Sequence, residues 1–160
     1  MRYSFVILSF LGFYTQPAFA DWQYTKWGMT AKEVIAASGK KVFPELNPAM
    51  DKGDSKVKLR GTHLSESPFE HFQFDASFHF DSTEKLQDVV LELKDSEKCP
   101  SLGVAMLTIY GPAQVEDRSS VSLLRTWWDR LNDNHVTYLR IGSKCSLTYK
   151  EMVKPGAKGL

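Results

Sequence analysis

The chain has 160 residues, 20 Lys and Arg against 19 Asp and Glu, and a formal net charge of +1. So neutral a balance gives no electrostatic ground for binding nucleic acid or an anionic membrane surface. The length suits one domain around one core, and an aromatic content of 12% suits a β-rich interior.

Residues 1–20 read as a cleavable signal peptide. Arg2 supplies the positive start, residues 3–14 form an apolar run, and Ala18-Phe19-Ala20 follows Pro17 as a small-x-small cleavage site. The run is shorter than the roughly 20 residues a permanent membrane helix needs. Asp21 is therefore expected to open the mature protein. Cleavage also removes Arg2, leaving 19 basic residues (20 − 1) against 19 acidic ones. No cysteine lies near the cleavage point, so no membrane anchor is expected, and the product should be soluble, periplasmic or secreted. The two cysteines, Cys99 and Cys145, both fall in the exported part. In an oxidising compartment such a pair is most simply a disulfide.

Along the mature chain, residues 22–27 alternate and predict a short strand. Thr30 and Glu33 have capping-box spacing, which predicts a helix over 31–38 stopped by Gly39. Residues 40–56 hold Pro44, Pro48 and Gly53 among charges and predict a surface loop. A strand is expected over 57–64 and a turn over 65–68. Phe72, Phe74, Ala76, Phe78 and Phe80 then alternate with polar residues, the period of a strand with one buried face. Residues 82–85 turn the chain and 86–94 return, completing an antiparallel hairpin. Pro100 opens a second helix over 100–110, with Leu102, Ala105, Met106, Ile109 and Tyr110 as its apolar stripe. Residues 114–120 read as a loop. Strands are expected over 121–130, 135–141 and 145–152, before a flexible tail at 153–160.

The expected architecture is one exported α+β domain over 21–152. It is an antiparallel β-sheet meander with two or more helices packed on one face, and equal spacing before Gly39 and Gly111 suggests two α-β-β-β halves.

Trp27-Gly28-Met29-Thr30-Ala31-Lys32-Glu33-Val34 resembles the opening motif Gly-Met-Ser/Thr-x-x-Glu-Val. That motif belongs to exported domains of the SmpA/OmlA outer-membrane assembly lipoproteins and of the β-lactamase-inhibitor-protein type. The resemblance implies a bacterial periplasmic protein acting by protein contact, with short helices followed by an antiparallel meander. The chain departs from the pattern in two ways. It has no lipid-accepting cysteine, and it carries no second copy of the Gly-Met-Thr motif.

Several groups bear on chemistry. Trp127 and Trp128 are adjacent in a strand, so one should enter the core while the other meets solvent, a helix or a partner. With Tyr138 and Tyr149 they form the candidate interaction surface, since exposed aromatics anchor protein contacts. His79 and Asp81 are weak metal candidates, about 7 Å apart on one strand face, with His63 as a third ligand from a neighbouring strand. His71 stands roughly 26 Å from His79 along an extended strand and cannot share an ion with it. There is no Gly-x-Ser-x-Gly elbow and no phosphate-cradling glycine loop. Glu116 with Asp117, and Asp129 with Asp133, read as solvated loop charges.

The functional expectation is therefore a non-enzymatic periplasmic protein-binding or inhibitory module using its sheet face, with no cofactor. A small-ligand or metal-binding protein is the alternative, and a small hydrolase is the least favoured. The leader has a direct check. The intact mass of the exported protein should equal residues 21–160, and a soluble product retaining residues 1–20 would refute the cleavage site.

Overall fold

Thr30 starts the first helix, α1 (Ala31–Ala37), by a reciprocal exchange of hydrogen bonds. Its hydroxyl accepts from the Glu33 amide at 3.4 Å, and the Glu33 carboxylate accepts from the Thr30 amide at 2.7 Å. Gly39 follows the helix at φ +62°, the left-handed stop expected of it. The computed structural model describes residues 22–44, 58–64 and 69–152. The expected signal peptide, the turn at 65–68 and the tail at 153–160 lie outside the described residues.

Residues 22–27 do not form the expected strand. The Thr25 amide and hydroxyl both donate to the Trp22 carbonyl, at 2.9 and 2.7 Å, and close a turn with Gln23 at φ 54°. A local hydroxyl partner has displaced the ladder that the alternation implied. The buried Trp22 ring instead meets Phe78 edge-on, with centroids 5.7 Å apart. The segment then joins the sheet by its backbone. Gly28 donates to the Leu86 carbonyl and Leu86 donates to the Met29 carbonyl.

Eight strands follow, β1 (Val42–Pro44), β2 (Lys58–Leu64), β3 (Phe74–Phe80) and β4 (Leu86–Leu93), then β5 (Val115–Arg118), β6 (Ser122–Asp129), β7 (Asn134–Ile141) and β8 (Lys144–Glu151). β1 lies in the stretch expected to be loop. Its Val42 amide donates to the Ser38 hydroxyl at 3.2 Å, and Pro44 sits on an edge, where its missing N–H costs nothing. β5 was also expected to be loop. All four of its residues are exposed, so the alternation that marks a half-buried strand is missing. The strands form one antiparallel sheet in the order β1-β2-β3-β4-β8-β7-β6-β5. Among the described residues no helix is long and apolar enough to cross a membrane.

The second helix, α2 (Cys99–Tyr110), follows a 3-10 turn at Ser96–Lys98. Cys99, Leu102, Gly103 and Met106 are buried, an i, i+3, i+4, i+7 stripe. Ile109, expected in that stripe, is 39% exposed. Several bonds hold α2 to the sheet, among them the following three and a longer one from the Arg125 guanidinium to the Gly103 carbonyl at 3.4 Å. Tyr138 donates its hydroxyl to the Cys99 carbonyl at 2.8 Å, and the Trp127 indole donates to the Gly111 carbonyl at 3.0 Å. The third is the Cys99–Cys145 disulfide, with Cα atoms 5.8 Å apart and a sequence separation of 46. In the chain-entropy picture a loop of this length contributes about 4 kcal/mol. Gly103 lies flat against the Tyr138 ring, where an added Cβ would sit 3.3 Å from its atoms.

One sheet face carries the core. Leu59, Phe78, Val89, Tyr149, Val136 and Trp127 stand in register across six strands, and Val34 of α1 joins the same cluster. Burial pushes the Tyr149 phenol well above its ordinary 10.0, helped by the adjoining Tyr110 and Asp129. Burial also raises Tyr110. A raised folded value means that the unfolded chain loses these protons first. Their contribution is therefore intact below about pH 10 and is lost as pH rises further. Denaturation midpoints should fall above about pH 10, and Tyr149→Phe should flatten that fall. An unchanged slope in the variant would refute the assignment.

Candidate functional site: the open face of the sheet

The face opposite the core is built from the alternate residues of the same strands, and direct register aligns them into rows. One row runs His79, Asp88, Lys150, His135 and Trp128 across β3, β4, β8, β7 and β6. A second runs Ser77, Val90, Thr148, Thr137, Thr126 and Val115 from β3 to β5. The third is Asp75, Glu92, Ser146, Leu139, Leu124 and Asp117. Trp128 is 45% exposed, Val115 44% and Ile141, at the end of β7, 57%.

Charge is distributed unevenly on this face. On its β3–β4 side two of the three carboxylates, Asp88 and Asp75, have partners, and Glu92 takes part in no ion pair among the described residues. His79 Nδ1 hydrogen-bonds Asp88, and Lys94 Nζ lies 3.2 Å from both oxygens of Asp75. The centre over β6, β7 and β8 is uncharged, composed of three threonines, Ser146, Leu124 and Leu139. Lys150, His135, Asp117 and Glu92 stand around it. Neutral centre and charged rim are the usual anatomy of a protein contact surface.

The placement of the expected site residues is mixed. Trp128 lies on this face, whereas Trp127 is 1% exposed beneath α2. Tyr138 and Tyr149 share the parity of Trp127 and are buried at 1% and 3%, so neither belongs to an exposed ring. Their hydroxyls serve the core, Tyr138 on Cys99 and Tyr149 with Tyr110. The companions of Trp128 are instead Thr137, Thr148, Leu124, Leu139 and Val115. The alternation in the last three strands contained all of that set but Val115, which lies in β5, and only the direction of one tryptophan could say which parity faced outward.

The metal candidates are not brought together. Asp81 caps the β3–β4 turn, accepting from the Thr83 and Lys85 amides at 2.8 and 3.0 Å. The Lys85 amide is the main reason its carboxyl is held below its ordinary value, with the Thr83 hydroxyl next. His79 belongs to Asp88 on the neighbouring strand. In β2, Lys58 lies opposite His79, which puts His63 about 16 Å further along the strand. Among the described residues no three His, Cys, Asp or Glu are grouped to hold an ion. Glu116 and Asp117 are strand residues rather than loop residues. Glu116 accepts from Arg125 at 2.8 Å and Arg118 at 3.1 Å, and those bonds, Arg125 first, hold its carboxyl low.

Comparison with protein-family models, curated proteins and solved structures finds no match to this chain.

The two tryptophans test the division between faces. Trp127→Ala should cost about 3–5 kcal/mol, the range for a large buried aromatic. Trp128→Ala should change stability by no more than about 0.5 kcal/mol. Chemical denaturation of both variants measures this, and the reverse order would invert the face assignment.

Proposed function

We propose that this is an exported, non-enzymatic binding module that docks a protein partner on the open face of its sheet. The observation that carries the reading is the asymmetry of the sheet. Its core side is sealed by large apolar side chains, while the other side presents a neutral centre with Trp128, Val115 and Ile141 exposed around it. A monomer gains nothing from holding such a surface in water, and a protein partner gains an anchor for each apolar group it covers. Six strands at about 4.8 Å and seven residues at about 3.3 Å give roughly 670 Å² of flat area. A standard interface needs about 800 Å² of accessible surface on each partner. The partner must therefore engage most of the face.

The supporting features lie elsewhere in the chain. The leader-like residues 1–20 and the Cys99–Cys145 bridge suit an oxidising compartment outside the cytoplasm. The Gly28-Met29-Thr30 motif supports kinship with the periplasmic SmpA/OmlA and β-lactamase-inhibitor-protein domains. We read the fold as two halves with both helices on the core side, because α1 precedes four strands and α2 precedes four more. Each half then holds one strand more than the expected three, the additions being β1 and β5.

Paired capture from periplasmic extract tests the function. The protein and its Thr137→Arg variant, both checked for an unchanged thermal midpoint, should differ in one or more captured proteins. Val104, exposed on the outer side of α2, supplies the control, and Val104→Arg should capture what the unaltered protein does. Identical captures by all three proteins would overturn docking on the open face.

A further inference from the structure

At the end of the open face a groove of about 480 Å³ lies between the ends of β3, β4, β8 and β7. That volume falls within the range of small-ligand sites. Asp75 and Lys94 line it but satisfy each other. Glu92 and Lys144 line it as well, and among the described residues neither takes part in an ion pair. The groove thus presents one free anion and one free cation.

Register sets the spacing of their backbones. Glu92 lies directly opposite Ser146, and Lys144 is two residues from Ser146 on the same face of β8. The Cα atoms of such diagonal neighbours stand about 7–8 Å apart, and two long side chains rising side by side from one face can hold their charged ends at a similar spacing. Two residues of extended chain span about 7 Å, so the ammonium and carboxylate of a dipeptide are separated by the same distance. A single amino acid is too short to reach both charges along its backbone. The wall beside them is apolar, since Leu139 faces Ser146 and the 57% exposed Ile141 faces Lys144. The hydroxyls of Ser143 and Ser146 remain within the groove to meet the central amide of such a ligand.

We propose that this groove is a binding site for short apolar peptides with both ends free, dipeptides above all. The ligand's ammonium meets Glu92, its carboxylate meets Lys144, and its side chains lie on Leu139 and Ile141. The site stands without the protein-docking reading, because it needs only these two charges and one apolar wall.

Titration of the isotope-labelled protein with Leu-Leu, followed by amide correlation spectra, tests the site. Shifts should concentrate at Glu92, at residues 139–141 and at residues 143–146. N-acetyl-Leu-Leu-amide, which lacks both charges, should leave those signals in place. Glu92→Gln and Lys144→Gln should each weaken Leu-Leu binding about fivefold, the upper range for an exposed charge pair. Both positions are exposed, so the variants should keep the parent's spectrum elsewhere. Absence of shifts up to the solubility limit, shifts scattered over the surface, or equal binding by the blocked peptide or either variant would overturn the proposal.

Discussion

The pairing of β4 with β8 is the constraint on which the sheet depends. All other neighbouring strands are joined by consecutive connections within the first or the last four, while β4 and β8 are separated by α2 and three intervening strands. Val89 against Tyr149 and Leu91 against Leu147 form the apolar seam between the two groups. Closing so long a loop costs chain entropy before any contact repays it. The disulfide acts on that cost. Cys99 lies a few residues beyond β4, and Cys145 adjoins Ser146, the partner of Glu92. With the bridge in place the unfolded chain already holds the two seam strands near each other, so the bond and the seam work as one constraint. Tyr138 adds a third link at the same place, because its hydroxyl bonds the Cys99 carbonyl.

A continuous sheet has a consequence for both of its faces. Two separate four-strand sheets would each expose a seam edge with unpaired amides and carbonyls. Joined, they leave only β1 and β5 at the margins, and each margin is blunted in its own way. β1 is three residues long, ends in Pro44 and has its Val42 amide capped by Ser38. β5 is four residues long, and three of them are charged. Edge-to-edge association is thereby discouraged.

Legibility in the sequence followed the strength of the periodic signal. The Phe74–Phe80 strand, the capping box at Thr30 and the helix after Pro100 each carry a local pattern, and each stands where that pattern put it. β1 and β5 could not be found that way. An edge strand with no buried face has no alternation to detect, and β5 has every residue exposed. Residues 22–27 failed in the opposite sense, because real alternation was overruled by the Thr25 hydroxyl. The disulfide was legible by arithmetic, since two cysteines leave one pairing. The open face was only half legible. Strand parity made Trp127 and Trp128 diverge, but nothing local said that Tyr138 and Tyr149 share the buried parity. That follows from the register across β6, β7 and β8, which places Trp127 with Val136 and Tyr149.

The same register explains why the open face can remain open without collapsing or aggregating. Its central row is three threonines in direct cross-strand register, whose β-branched stems favour the extended backbone; Thr137 and Thr148 are half-buried and Thr126 is buried. Replacing that row with valine would extend the apolar patch from Trp128 to Val90 and invite indiscriminate sheet-on-sheet stacking. Charges in the central row would instead demand a matching charge from every partner. Threonine avoids both, keeping the row uncharged and less apolar than valine would. In the docking we propose, apolar anchors at Trp128, Val115 and Ile141 set where a partner gains most, while the charged rim around them limits which surfaces fit.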